Sequence, residues 1–546
     1  MKEIEFNLLD EKWIRVLTPA CAVEEVSLTD ALVHAHEYTD LAGELPTQDA
    51  AVLRLLLAVL QTVFTRMDET GRSAPLTGAD EALMRWHRLW QPGRLPEAPI
   101  REYLSKWHDR FWLFHPERPF WQVPEAEIGT EYTAAKLNGE LSESGNKIRL
   151  FPVCASDGKR TMSYAQAARW LLFVNGYDDT SAKPKGKGLP SAGAGWLGKL
   201  GMIFASGNNL FETLLLNLVL LKDGVEPWAP PLPCWELEHA RSAERTQIPQ
   251  PNDQASLLTL QSRRLLLHRD SDKVTGYSLL GGDFFERENA FCEQMTVWRP
   301  VQASPHAPIS YFPRRHDPAR QFWREFPSVF VQQAGVHQPG IVRWIATLQN
   351  PRLGFLSRKT LVRFRTTAVK YGDKDFFVTD TFNDEISFHG QLLNELGKQW
   401  QALVRDEIAH CEDLANAVGS LAADLAIAAG RRDEDARKNN TAPAREQFYF
   451  AIDEPFRRWL ASVDPEWDED ETWQSIESWR SQAQRIARTL GTEMVRRSGM
   501  AAFVGRSIVK KSGKGKNETE RAVHYSAPEA FNSFLRRIAK IYAKGG

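Results

Sequence analysis

"LLNELGKQWQALVRDEIAHCEDLANAVGSLAADL", residues 392–425, carries Leu392, Leu396, Trp400, Leu403, Val404, Ile408, Cys411, Leu414, Val418, Leu421 and Leu425 at steps of three and four. That spacing puts the apolar side chains on one stripe of a long helix, with polar residues opposite. Such a stripe must be covered, and the sequence downstream supplies the cover. Helical patterns span 443–462, 471–498 and 527–543, separated by "RRDEDARKNN", "VDPEWDED" and "KKSGKGKNETE". Together they predict a four-helix bundle over 386–546.

Upstream, residues 1–385 predict a mixed α/β domain, so the fold class is α+β. "FNLLDEKWIRVL" (6–17) alternates loosely and stops before Pro19, as a strand pair or hairpin would. "PTQDAAVLRLLLAVLQTVFTRM" (46–67) repeats apolar residues at helical spacing behind Thr47, a capping candidate, and a second long helix is expected over 210–221. Between 124 and 210 glycine, serine and lysine are frequent, and loops are expected at 138–147 and 178–199; loops of that length are usually functional or disordered.

The 546 residues are 42% hydrophobic and 25% charged, ordinary for a folded protein of two to four domains. A net charge of −2 leaves no overall field to hold the chain on a polyanion, so any nucleic-acid contact must be local. The five cysteines are scattered, without a C-x-x-C pair, which predicts reduced thiols in a cytoplasmic protein rather than a disulfide framework or a zinc knuckle. Eighteen tryptophans are many; core or interface packing is their default use. No signal core or membrane segment is read.

"GAGWLGKL" (193–200) satisfies both G-x-G-x-x-G and G-x-x-x-x-G-K. A Walker loop needs a hydroxyl after its lysine to hold Mg²⁺, and position 200 is leucine. Both fingerprints also require a buried strand upstream, where "TSAKPKGKGLPSA" has two prolines and no apolar run. A nucleotide-dependent hydrolase or nuclease using 193–199 is the alternative these matches leave. The wider segment has no acidic residue between Asp179 and Glu212 and interleaves Lys183, Lys185, Lys187 and Lys199 with seven glycines. Glycine admits close backbone approach and lysine supplies point charge, a combination suited to a sugar–phosphate backbone or groove; a solvated loop reads equally well.

A second basic stretch holds Arg358, Lys359, Arg363 and Arg365. As a strand, "KTLVRFRTTAV" would bury Val362, Phe364 and Thr366 and present the arginines on the other face, either as a phosphate track or salt-bridged. "KKSGKGK" (510–516) reads as a solvated loop. The acidic run from Asp464 to Glu471 reads as a turn entering a helix. His34–His36 and the two His-Asp dipeptides lack the partners of a metal site, and no G-x-S-x-G elbow occurs. No catalytic residue and no cofactor is read from the chain.

"FNLLDEKWIRV" resembles the opening of the CasA family, the large subunit of the type I-E CRISPR surveillance complex called Cascade. "ERPFWQV" (117–123) resembles a second family segment, and the order of domains matches over nearly the whole chain. The resemblance implies a non-catalytic subunit at the 5′ handle of a guide RNA. It would recognise the protospacer-adjacent motif in double-stranded target DNA, begin strand separation, contact other Cascade subunits and dock a helicase–nuclease effector. It further implies an RNA and subunit loop at 138–151, with Asn146, Lys147 and Arg149. A DNA-binding glycine loop would hold Lys183, Lys185, Gly186, Lys187, Gly188, Gly193 and Gly195. The wedge would fall in "KYGDKDFF" (370–377), at Asp373, Lys374, Asp375 and Phe376, where the glutamine common in the family is absent. The stretch most similar to that around the family's DNA-contacting lysine, "KVTGYSLLGG" (273–282), has only Lys273, and the cysteine cluster of some members is missing.

Overall fold

The computed structural model describes residues 4–137, 160–180, 189–512 and 519–545. The chain forms two compact units, an α+β architecture. The first comprises residues 1–322, 328–357 and 362–386, and the second 323–327, 358–361 and 387–546.

The first unit is organised around the helix Pro46–Arg66, which has Pro46 in its first turn and almost every side chain buried. Leu45, not Thr47, is its N-cap; proline needs no donor at that position, and Thr47 is buried under the first turn. The helix is long and apolar enough to span a bilayer by length and composition, but 94% of its apolar window is packed inside the fold. Arg54, buried in its middle, meets Glu293 at 2.9 Å.

The opening segment does not form a hairpin with itself. Glu5–Asn7 pairs with Trp112–Phe114, whereas Ile14–Leu17 lies between Val23–Val26 and Asp40–Leu41. The turn between the two strands explains the segment's recognisable residues. Asn7 accepts from Leu9 N–H at 3.0 Å and donates to the His108 carbonyl at 3.0 Å, and the Trp13 indole donates to the Leu8 carbonyl at 2.9 Å. Gln122 does similar work in the second segment, donating to Leu113 at 2.7 Å and accepting from Leu267 N–H at 2.9 Å. Both segments are joints of the fold.

The helix expected over 210–221 stops at Leu216. The Asn217 side chain accepts from Ala205 N–H at 3.0 Å and donates to the Ala205 and Thr213 carbonyls, which pins the chain to the strand Met202–Ser206 and turns it. That strand pairs with Leu361–Tyr371, itself the centre of a three-stranded sheet completed by Val378–His389.

In the second unit the helices Lys398–Ala428, Asp433–Ser462, Glu469–Arg497 and Ala527–Ile541 pack together, with a short helix Gly499–Val504. From Trp400 onward the stripe is buried at Val404, Ile408, Cys411, Leu414, Val418, Leu421 and Leu425, while Leu396 lies exposed before the helix starts. The second helix begins ten residues before the expected 443 and runs through Pro443 and Pro455. Asp433, Glu434 and Asp435 favour its N-terminus, so most of "RRDEDARKNN" is helix rather than connector. The acidic run behaves as read: Asp468 caps the third helix in a reciprocal box with Glu471. The lysine-rich connector, expected as a loop, instead enters and leaves as paired strands, Arg506–Ser512 with Thr519–Tyr525, whose Ile508, Val509, Ala522 and Val523 suit a ladder.

Candidate nucleic-acid interface

The helix Tyr164–Tyr177 starts at a capping box of Ser163 and Gln166 and ends at the buried Asp178, where the glycine- and lysine-rich segment departs. Arg263, buried on the strand Arg263–Asp270, holds both ends of that segment. Its Nε donates to Asp178 Oδ2 at 2.5 Å, and its Nη2 reaches the carbonyls of Asp178, Asp179 and Gly193 at 3.2, 3.1 and 2.7 Å. Gly195 N–H closes the mouth on the Asp178 carbonyl at 2.8 Å. Lys136 Nζ lies 3.5 Å from the Asp179 carboxylate, so the chain leading to 138 starts at the same mouth. Of the residues the sequence singled out, Lys183, Lys185, Gly186, Lys187 and Gly188, and likewise Asn146, Lys147 and Arg149, lie outside the described residues.

Beyond the mouth, the glycine segment is packed rather than presented. A Cβ on Gly195 would stand 2.3 Å from the Gly176 carbonyl oxygen, and one on Gly198 would stand 2.0 Å from the Tyr371 hydroxyl. Gly195 is therefore corrected from a groove-facing glycine to a close-packing one. Gly193 alone needs its left-handed backbone, at φ 64°, for the turn. Trp196 is buried and donates to Glu293 at 2.8 Å. The strand Met202–Ser206 follows these glycines instead of preceding them, the reverse of a phosphate-binding loop, so 193–199 does not have the geometry of a nucleotide site.

The strands Leu361–Tyr371 and Val378–His389 meet in a tip at 372–377, and that tip is fastened to the mouth. Arg315 carries the joint: Nε donates to the Gly198 carbonyl at 2.6 Å, Nη1 and Nη2 grip the Asp375 carboxylate at 2.6 and 2.9 Å, and the guanidinium lies 4.7 Å over the Tyr371 ring. Thr180, the last described residue before the lysines, donates to the Asp375 and Lys374 carbonyls at 2.9 Å each. Lys374 and Asp375 both adopt left-handed backbone, at φ 55° and 58°. For residues other than glycine this backbone is uncommon and persists where the surroundings hold it. Asp375 is thereby corrected from a wedge residue to a fastener. Asp373, Lys374 and Phe376 are exposed, whereas Phe377 folds back over Gly372.

The electrostatics separate two sets of basic residues. Lys199 is half-buried at the base of the segment. Burial first, and then the charges of Arg263, Arg287, Arg245 and Arg315, push its ammonium down to about 7. Arg245 is held there by the carbonyls of Pro190 and Ser191. In contrast, Arg365 pairs with Asp40 and lies 3.6 Å from Glu385. It borders a cleft of about 380 Å³ that Asp40, Asp49, Asp384 and Glu385 make acidic, so the salt-bridged alternative describes Arg365. Arg358, in the other unit, pairs with Glu466 at 3.4 Å with both groups exposed. Lys359 is exposed in that unit, and Arg363, in the first unit, has no acidic partner among the described residues. Arg263, Arg315, Thr180 and Tyr371 were not read from the sequence. The available signal was the arginine pair entering "RRLLL", since a cation inside an apolar strand requires a buried partner.

Comparison with known proteins places the chain, an α+β unit followed by a helical bundle, in the class of large CRISPR-associated proteins. The family model "CRISPR-associated protein Cse1" matches residues 7–490. The CRISPR-associated protein CasA/Cse1 of Thermus thermophilus is 30% identical over 516 residues, which are 89% of this chain and 93% of that protein. The crystal structure of Thermobifida fusca Cse1 superposes with a TM-score of 0.78 at 29% identity, covering 99% of this chain and 97% of that one. A chain of a CRISPR RNA-guided surveillance complex has the same fold, with a TM-score of 0.63 at 17% identity over 99% of this chain and 100% of its own. The chain belongs to the CasA/Cse1 family, the family of the large subunit of Cascade.

Proposed function

We propose that the protein is the non-catalytic subunit with which a type I-E Cascade complex reads a protospacer-adjacent motif in duplex DNA and starts strand separation. In this reading Lys183, Lys185 and Lys187 meet the phosphates and glycine backbone follows the groove. A degenerate groove pattern needs only a few such contacts, and guide-RNA pairing reads the rest. Lys374 and Phe376 press on the first base step. The segment with Asn146, Lys147 and Arg149 meets the guide RNA and neighbouring subunits, and the helicase–nuclease is recruited to the same assembly in the cytoplasm. The observation that carries the reading is the Arg315 joint, which fixes an exposed, strained tip beside the mouth of a lysine-rich segment. A reader and an opener fastened together act on the same few base pairs.

The test is filter binding of duplexes with and without candidate motifs by the assembled complex. Lys183, Lys185 and Lys187 changed together to Ala should remove motif-dependent binding while assembly is unchanged. Equal retention of motif and non-motif duplexes by wild type and variant would refute the reading. ATP-dependent or metal-dependent cleavage by the isolated protein would favour the hydrolase alternative.

A further inference from the structure

We infer that the cleft floored by Trp121 is a binding site for a phosphoryl group, separate in its residues from the tip and the mouth described above. The cleft offers about 50 Å³ and is lined by Arg110, Arg118, Trp121, His239 and Arg241, with no carboxylate among the described residues of its wall. A single water needs roughly 10–15 Å³ on this measure, so the space suits one tetrahedral oxyanion and is too small for a nucleoside.

Elsewhere the chain neutralises the guanidinium groups it withdraws from water. Arg54 faces Glu293, Arg169 faces Glu44, Arg263 faces Asp178 and Arg264 faces Asp283. In this cleft Arg241 shares Asp283, at 3.1 Å, with Arg264, but Arg110 and Arg118 have no acidic partner among the described residues. Arg118 Nη1 and the Trp121 indole Nε1 are buried with no acceptor among the described residues. A buried donor left unpaired is costly, and these two line the same small cleft, where one ligand could satisfy both.

Trp121 supplies a second, independent pointer. It is a bulky residue only 8% exposed, and it is held at φ 56°. Left-handed backbone in such a residue persists where the surroundings impose it, often at ligand clamps. The donors also select the ligand. One arginine fork satisfies both oxygens of a carboxylate, whereas two unneutralised arginines and an indole N–H match the additional oxygens and charge of a phosphate.

Titration calorimetry of the full-length protein with inorganic phosphate tests the site. Saturable binding is expected, weakened about tenfold by Arg118→Gln and about threefold by Arg110→Gln, with Arg299→Gln, at an exposed strand position outside the cleft, unchanged. Should Arg118→Gln fail to fold, the half-exposed Arg110 carries the test. Displacement of phosphate by a short 5′-phosphorylated RNA, but not by its 5′-hydroxyl form, identifies a terminal nucleic-acid phosphate as the source. Displacement by both identifies the backbone, and by neither free phosphate; the site stands in each case. No phosphate binding, or binding equal in wild type and both arginine variants, overturns the inference. Displacement by glutarate as strong as by phosphate overturns it in favour of a carboxylate-bearing protein partner. No DNA motif enters this experiment, so its failure is separate from failure of the motif-reading role.

Discussion

Lys199 and Arg365 look alike in the sequence, each a cation in a stretch poor in acids, yet the fold gives them opposite surroundings. Lys199 is driven toward neutrality by burial first and then by the charges of Arg263, Arg287, Arg245 and Arg315. Arg365 is set against Asp40 and Glu385 on the wall of an acidic cleft. Lys199 has no carboxylate of its own, although Arg263 and Arg315 beside it are paired with Asp178 and Asp375, whereas Arg365 is paired directly with its anions. A count of lysines and arginines along a strand or loop therefore says little about where a polyanion binds until the acids brought in by the fold are counted too.

The largest expected effect would break this comparison outright. In the assembled complex, Lys199→Gln with Arg287→Gln should weaken duplex binding about tenfold and lower the salt slope by about one to two, whereas Arg365→Gln should leave binding within about twofold. Equal losses in the two would show that the faces do not differ.

Next in size is a pH effect. Lys199 is charged only below about 7, and phosphate favours the charged form, so binding above that pH must take up a proton. Affinity should fall about fivefold between roughly pH 6.5 and 8 in wild type and stay flat in Lys199→Gln, measured by fluorescence anisotropy. Smaller still is the expected split in Arg315→Lys. A lysine cannot grip Asp375 with a two-pronged fork, so base-pair opening followed with 2-aminopurine should slow about threefold while duplex binding changes less. Equal slowing and weakening would mean that the joint does not link reading to opening.

The smallest effect is on stability. Burial pushes the Asp49 carboxyl up to about 7 despite the Gly43 N–H it accepts, with Asp40 and Glu44 adding to the rise. The native state thus keeps a proton that the unfolded chain releases above about pH 4. This contribution to stability is lost as pH rises toward 7, and at pH 8 the buried charge is fully penalised. Asp49→Asn should raise the melting midpoint by about 2 °C at pH 8 and leave it nearly unchanged at pH 5, by differential scanning fluorimetry.

Much of the framework was legible because its signals are local. The stripe from Trp400 to Leu425 repeats at the helical period, the Asp468–Glu471 cap is a four-residue pattern, and the arginine alternation at 361–367 is a strand period. The errors arose where a distant residue intervened. Asn217 ended a helix by bonding Ala205, apolar residues flanking the lysines of 510–516 found a partner strand, and Gly195 proved small because Gly176 lies against it. A turn near 373–376 was legible in the sequence, but which of its side chains are held and which are exposed depended on Arg315, some sixty residues away along the chain.

The sequence by itself determined the helical bundle, the α+β order and a lysine-rich segment flanked by glycines, since periodicity and composition act over a few residues. The tertiary structure alone decided which cations are spent and which are available. Arg263 meets Asp178 across 85 positions and Arg365 meets Asp40 across 325. Electrostatic energy depends on distance in space, and only the folded chain sets that distance.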